Sequence, residues 1–418
     1  MSKRIAARVK KCVGVALCAA LLSLYGSEGM RQLRALPETV HVSGQEGDAS
    51  PLSGLSERWF APADGVVSVS SSADERLENV ASSTVTYRLF GVIPLKSVRV
   101  VRSEPVYLVP GGMAVGITIR TQGVLVVGLG TVDTEDGLLS PGAAAGIRAG
   151  DVIVAAGGET LKNADHLMQL TRASDGELPL TISRDGERVE TTIRLVRDAR
   201  DDALRIGLWV RDSTAGVGTL SFYEPDTGWF AALGHAVSDI DTQSELTVRE
   251  GRIIPTEIIG VKRGEQGSPG ELIGAFSISD PAMGQILKNS EYGIYGKMDR
   301  SITGGLYPQT PMAYGYEART GKAKLLATID GDEVEAFDCE IIRVNAQSSA
   351  ATKGMVVSVT DERLLSVTGG IVQGMSGCPI IQNEKLIGIV THVFVNDPTR
   401  GYCVYAEWMR EQILEATG

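Results

Sequence analysis

Two residues stand out as able to do chemistry. Ser376 lies in Gly374-Met375-Ser376-Gly377-Cys378-Pro379, and His235 lies in Ala231-Ala232-Leu233-Gly234-His235-Ala236-Val237-Ser238-Asp239. A serine bracketed by glycines in a tight loop can expose its hydroxyl. The backbone N–H groups of Gly374 and Ser376 can then converge on one point and hold a developing oxyanion. Serine is a weak nucleophile until a base takes its proton, and histidine is the commonest base. The chain has four histidines: His41, His166, His235 and His392. His235 follows an apolar segment in a small-residue turn and precedes the serine in the chain. His392 alternates within Ile387–Val395, so it reads as a strand residue lining the site and as the competing base. A third group should orient the imidazole. Asp239, Asp241, Asp280, Asp299 and Asp361 are all candidates, and spacing does not choose among them. Cys378 is a weaker candidate nucleophile, because Gly374 and Gly377 bracket Ser376. The plain alternative is a glycine hairpin carrying a structural serine.

These residues need a scaffold. The chain has 418 residues, which suggests two to three domains at about 150 residues each. It is 43% hydrophobic and 22% charged with a net charge of −11, so it is globular and a poor nucleic-acid binder. Its 49 glycines and 5% aromatic content favour many turns and short strands. Of five cysteines, Cys12 and Cys18 are N-terminal, and Cys339, Cys378 and Cys403 have no framework spacing. Neither a disulfide scaffold nor a zinc site is expected, and no metal or cofactor is implied.

Lys3, Arg4, Arg8, Lys10 and Lys11 precede the uncharged run Cys12–Ser27, the pattern of a secretory signal. No strong small-x-small cleavage site follows, which leaves a cleaved signal or a signal anchor over 1–27. Residues 28–84 are rich in Ser, Gly, Glu, Asp and Pro and read as a flexible linker. From Val85 β-branched and apolar residues dominate. A strand, a short helix, a Gly-Asp turn, a second strand, a helix capped by Asn163 and a hairpin across Asp185-Gly186 follow in order. From about 200 to 400, short strands alternate with glycine turns, as in a sandwich or a Greek-key barrel pair. The last residues, with Met409, Ile413 and Ala416 at helical spacing, read as a terminal helix.

Ser140-Pro-Gly-Ala-Ala-Ala-Gly-Ile-Arg-Ala-Gly-Asp-Val-Ile153 resembles the core motif of PDZ domains attached to exported proteases, over roughly 95–198. In such domains a chain end or loop adds as a strand beside a glycine-rich carboxylate-binding loop. Pro110–Ile117 is the segment expected to form that loop, with Gly111, Gly112, Gly116 and Ile117 as peptide-binding residues. The plain reading is an ordinary glycine turn. The Ser376 loop resembles the G-D-S-G-G-P nucleophile loop of chymotrypsin-like serine proteases, with Met375 in place of the aspartate and Cys378 in place of the second glycine. His235 resembles the histidine of their A-A-H segment. These resemblances imply a mainly β chain: a PDZ-like α/β domain with preceding strands (85–198), then a chymotrypsin-like double β-barrel serine peptidase domain (199–418).

LFGVIPLKSV, LGHAVSDIDT and TGGIVQGMSGCPIIQNEKLIGIVTHVFVNDPTRGY together resemble the stage IV sporulation protein B family, the S55 serine peptidases of endospore-forming bacteria. The resemblance implies His235, Asp361 and Ser376 as a triad, although Asp361 lies much closer to the serine than in chymotrypsin-like enzymes. It also implies an exported protein that cleaves itself and a membrane-bound sporulation regulator, in the space between forespore and mother cell, so that a sigma factor is processed. A non-catalytic PDZ adaptor with a degenerate protease fold is the alternative. An esterase is disfavoured, because the chain lacks a G-x-S-x-G elbow in strand–helix alternation.

Overall fold

The computed structural model describes residues 82–89, 92–299, 307–347 and 349–417, residues 60–62, and short stretches between 14 and 42. Most of the candidate signal at 1–27 lies outside the described residues. Among them, no helix is long and apolar enough to cross a membrane.

The chain is mostly strand. Strands β1 (Thr39–Val42), β2 (Phe60–Pro62), β3 (Ser82–Leu89) and β4 (Ile93–Arg102) form a sheet in the order β1-β4-β3-β2. Two of these strands fall inside the stretch read as linker. Val40 of β1 shares an apolar core with Val98, Leu33, Tyr87 and Leu89, and β2 pairs with β3. The remaining parts of 28–84, at 43–59 and 63–81, lie outside the described residues.

Next come β5 (Tyr107–Pro110), β6 (Ala114–Leu129), the hairpin β7 (Val132–Thr134) and β8 (Gly137–Leu139), and the one-turn helix α1 (Pro141–Ala144). They are followed by β9 (Val152–Ala156), β10 (Glu159–Thr160), α2 (Ala164–Ala173), β11 (Glu177–Arg184), β12 (Glu187–Arg194), β13 (Val196–Arg197) and β14 (Leu204–Arg205). Asn163 caps α2 as expected, its side chain accepting from the His166 N–H at 2.8 Å. Asp185 and Gly186 both have positive φ, the geometry of a two-residue hairpin turn. Val124, Ile153, Leu167, Leu180, Ile182 and Ile193 are buried together in this PDZ-like unit.

The strands β15 (Leu208–Glu224), β16 (Trp229–Ala232), β17 (Val248–Pro255), β18 (Glu257–Lys262), β19 (Glu271–Ala275), β20 (Gly284–Ser290), β21 (Gly293–Met298) and β22 (Thr310–Pro311) come next. The first barrel closes in the order β6-β17-β20-β21-β16-β15 and back to β6. The second is made of β23 (Gly321–Ala327), β24 (Glu335–Val344), β25 (Met355–Val359), β26 (Pro379–Gln382), β27 (Lys385–Phe394) and β28 (Asp397–Tyr405). It closes in the order β23-β24-β25-β28-β27-β26, with α3 (Glu362–Thr368) after β25 and α4 (Ala406–Thr417) after β28. In β24, Phe337, Cys339 and Ile341 are buried while Asp338 and Glu340 are exposed, the two-residue period that builds a barrel interior. Met409 and Ile413 of α4 are buried as expected, but Ala416 is exposed. Residues from both barrels, among them Phe222, Tyr295, Ile389 and Val404, meet in one apolar cluster with α4.

The boundary between units differs from the linear reading. The 16-residue β6 serves two sheets. Residues 114–121 pair with β15 and β17 in the first barrel, and Val124 and Leu125 pair with β9 in the PDZ-like unit. The change falls at Gly123, whose φ is +93° and where a Cβ would lie 2.7 Å from the Ile153 carbonyl oxygen. A run of strand-forming residues does not reveal that its two halves bond to different neighbours.

Gly111, Gly112, Gly116 and Ile117 therefore belong to the first barrel. The N–H groups of Gly111 and Gly112 donate to the carbonyls of Ser221 and Leu220, at 3.0 and 2.8 Å. Gly116 and Ile117 lie in β6 opposite Val217 and Gly216 of β15. The expected carboxylate-binding loop does not form there, because its donors are committed to the barrel.

Candidate active site

The Ser376 loop connects α3 to β26. Gly374 and Gly377 have φ of +95° and +104°, which a side chain would disfavour. A Cβ on Gly377 would lie 2.1 Å from the Thr219 carbonyl oxygen, so only glycine lets the loop sit against β15. Thr219 holds it there. Its N–H donates to the Ser376 carbonyl at 3.2 Å, and its Oγ1 donates to the Gly374 carbonyl at 2.7 Å. On the other side, the Gly377 N–H donates to the Val390 carbonyl at 2.8 Å. Met375 is buried in the second barrel core, which explains an apolar residue at that position.

The loop leaves Gly374 and Ser376 with N–H groups that have no hydrogen-bond partner among the described residues. The N–H groups of Met375, Gly377 and Cys378 are all bonded to carbonyls. Two preformed donors beside a serine hydroxyl suit a tetrahedral oxyanion. The hydroxyl itself is half-buried and donates to the Thr391 carbonyl at 2.7 Å.

His235 is brought to the same place by the end of β16. Leu233 and Gly234 have φ of +74° and +72°, turning the chain out of the barrel. A left-handed leucine costs about 1–2 kcal/mol and persists where its surroundings fix it. A Cβ on Gly234 would lie 3.1 Å from Thr391 Cγ2, so His235 and Ser376 both adjoin the Val390–Thr391 segment of β27. The His235 Nδ1 lies 2.8 Å from the Ala236 carbonyl oxygen. A carbonyl only accepts, so Nδ1 carries the proton and Nε2 keeps a lone pair, the tautomer a general base requires. Burial pushes the His235 pKa below 6.5, although the Ala236 carbonyl favours the charged ring. Ser376 and His235 do not hydrogen-bond to one another. Such bonds are often long or absent without substrate and tighten in the Michaelis complex.

His392 is exposed on β27, its ring centroid 5.0 Å from that of His235. Although the residue is exposed, its ring is partly buried, and that desolvation, then the nearby His235 and Lys353, lowers its pKa. Cys378 is fully buried, with Sγ 3.7 Å from Thr219 Oγ1, and burial pushes its thiol to about 12. A protonated, inaccessible thiol is no nucleophile.

The structure does not bring Asp361 to His235. Asp361 caps α3 and its carboxylate is saturated. Oδ1 accepts from the Arg363 N–H at 3.0 Å and from Arg363 Nε at 3.1 Å. Oδ2 accepts from the Asp338 N–H at 3.0 Å and from Arg363 Nη2 at 2.9 Å. The Arg363 hydrogen bonds hold its pKa down at about 2, against an ordinary 3.8. Asp361→Ala is expected to cost about 1 kcal/mol through the lost cap. Because the folded pKa is depressed, Asp361 contributes its full stability above pH 3.8 and loses it as the pH falls towards about 2. Urea unfolding of both proteins at pH 7 and pH 3 checks this. A 10⁴-fold fall in turnover with unchanged stability would instead mark Asp361 as a triad member.

Asp239 is likewise committed. Burial works against its charge, but the N–H groups of Thr242 and Asp241 and the Arg211 guanidinium hold its pKa below the usual range. From β20, Asn289 accepts from the Val237 N–H at 2.9 Å and donates to the carbonyls of Val237 and Leu246 at 2.8 and 2.9 Å. Thr219, Thr391, Asn289 and Arg211 thus position the two candidate residues. Nothing in the linear sequence marks them, because each acts from a distant strand.

The profile of the family described as SpoIVB peptidase S55 matches residues 202–410, half of the chain, and a PDZ domain profile matches residues 139–184. The chain is similar to the PDZ domain of the SdrC-like protein from Listeria monocytogenes, over 21% of this chain and 87% of that one, at 18% identity and a TM-score of 0.18. It is also similar to the Rv3671c protease from M. tuberculosis in its active form, over 48% of this chain and 74% of that one, at 14% identity and a TM-score of 0.30. No curated protein matches. A glycine-held serine and a histidine in the base tautomer adjoin the same segment of β27, next to two N–H donors without a partner among the described residues, and the chain that carries them belongs to the SpoIVB peptidase S55 family of serine peptidases.

Proposed function

We propose that this serine peptidase is an exported signalling protease of endospore formation that cleaves itself and then a membrane-bound regulator. It acts in the space between forespore and mother cell, and its cut leads to sigma-factor processing. The observation that carries the reading is the approach of both Ser376 and the His235 turn to the Val390–Thr391 segment of β27, beside Gly374 and Ser376 N–H groups with no partner among the described residues, in a chain of this family. The PDZ-like unit supports protein substrates. The basic N-terminus followed by Cys12–Ser27 supports export with membrane association.

The chemistry follows from the geometry. His235 Nε2 takes the Ser376 proton as Oγ attacks the carbonyl carbon, and the N–H groups of Gly374 and Ser376 hold the oxyanion. The imidazolium then protonates the leaving amine, and water hydrolyses the acyl-enzyme by the same steps in reverse order.

Self-cleavage is expected in the 28–84 stretch. A protease needs an extended segment free of sheet pairing, and Thr39–Val42 and Phe60–Pro62 are already paired. The cuts are therefore expected outside these two strands, in the Ser-, Gly- and Pro-rich segments of the stretch. Intact mass and N-terminal mapping of wild type against Ser376→Ala test this. Shortening in wild type alone, with new N-termini in those stretches, is the expected result. Uncut chain in both would favour the adaptor reading, and first cuts past residue 85 would overturn the linker site.

A further inference from the structure

PDZ-like domains take a peptide as an added strand on the sheet edge beside their helix. In this chain the Val124–Leu129 half of β6 is the last strand of the PDZ-like sheet, in the order β12-β11-β9-β6. One of its sides pairs with β9. The other side is already filled, by the start of β15. Leu208 lies opposite Leu129, Trp209 opposite Gly128, Val210 opposite Val126 and Arg211 opposite Leu125, all antiparallel. Leu208 and Val210 pack on the PDZ-like core, and β15 touches α2. Leu208 lies over Gly142, where a Cβ would come within 2.4 Å of its methyl group.

The filling segment carries a side-chain carboxylate at Asp212, beyond which β15 continues into the first barrel. Asp212 Oδ2 accepts from the N–H of Ala164, the first residue of α2, at 2.8 Å. Its carbonyl accepts from Thr121 Oγ1 at 3.3 Å. A strand added on this edge, with alternate apolar side chains on the PDZ-like core and an anion at the start of α2, occupies the place an added peptide would take.

We infer that Leu208–Asp212 is a built-in ligand of the PDZ-like unit, and that its seating is coupled to the peptidase site through Arg211. Arg211 belongs to the same five residues. It ion-pairs with Asp239, which is buried, and with Asp241 at 2.8 Å. Asp239 in turn accepts from the N–H groups of Asp241 and Thr242, both at 3.0 Å, in the loop that carries His235. An incoming peptide cannot take this edge without drawing Arg211 away. The buried carboxylate left behind is strongly disfavoured without its partner, so the loop must rearrange. The competing ligand is a free chain end with apolar residues at alternate positions, and its effect on the site is reciprocal with the effect of the site on its binding.

The probe is the peptide Leu-Trp-Val-Arg-Asp with a free C-terminus and an N-terminal fluorophore. Its binding is measured on full-length Ser376→Ala protein with and without Asp212→Ala. At least tenfold tighter binding is expected when Asp212 no longer competes. Equal binding to both proteins, tight or undetectable, overturns the built-in ligand. Should Asp212→Ala fail to fold, Val210→Ala weakens the same docking from another point and is read in the same way. This binding assay needs no hydrolysis, so it is independent of the peptidase reading. The coupling is read in catalytically intact protein. Arg211→Gln is expected to lower kcat on a small peptide several-fold with KM unchanged. Saturating probe is expected to lower kcat of Asp212→Ala similarly and to leave Arg211→Gln no lower. An unchanged kcat in either case overturns the coupling.

Discussion

Replacing Ser376 with alanine is expected to lower peptide hydrolysis by about 10⁶-fold, leaving the small residual rate that the N–H donors alone supply. The fold should be retained. The one hydrogen bond lost with the hydroxyl is that to the Thr391 carbonyl, and such a bond contributes about 0.5–1.5 kcal/mol. The glycine turns and the bonds from Thr219 that shape the loop do not involve the hydroxyl. Turnover of a small peptide together with thermal unfolding separates the two effects. A wild-type rate in the variant would move the nucleophile elsewhere. Cys378→Ser tests the neighbouring thiol and is expected to be nearly silent, since the position requires a small buried side chain and burial keeps the thiol protonated.

Replacing His235 with alanine is expected to be as damaging, and Ser376→Ala together with His235→Ala should be little worse than either alone. A nucleophile and its base act as one unit, so their losses do not add. The pH dependence has a definite sign. The base works only when neutral, and burial lowers its pKa, so the acid limb of kcat/KM should have its midpoint below pH 6.5. Folding follows the same sign. The unfolded imidazole binds protons more readily than the folded one, so His235 and His392 subtract stability as the pH falls below 6.5. His392→Ala should keep most activity, because its ring borders His235 from an exposed position. An inactive His392→Ala protein beside an active His235→Ala protein would reassign the base.

The local elements were largely legible. The Asn163 cap and the Asp185-Gly186 hairpin, both residues of which have positive φ, depend on near neighbours in the chain. So does the glycine bracket around Ser376. The errors concern residues whose meaning depends on distant partners. Gly111, Gly112 and Gly116 look like a free nest of donors until β15 is placed beside them. Substituting them tests the packing of the first barrel: a side chain on Gly116 would come within 2.5 Å of the Phe276 ring. The stretch 28–84 has the composition of a linker, yet two of its short segments pair because a sheet and an apolar core already exist to receive them.

The sequence by itself determined the class of chemistry, through one serine between glycines and one histidine in a small-residue turn. It also determined the β-rich character of the chain, because two-residue alternation and turn chemistry are local properties. Only the tertiary structure decided what surrounds those residues. Closing two barrels set Thr219 and Val390–Thr391 against the Ser376 loop and left the Gly374 and Ser376 N–H groups without a partner among the described residues. It committed the Asp361 carboxylate to Arg363 and gave His235 the Ala236 carbonyl. It also laid Leu208–Arg211 along the PDZ-like edge. A hydrogen-bonding group takes whichever partner lies within about 3 Å after folding, and that distance is unrelated to separation along the chain.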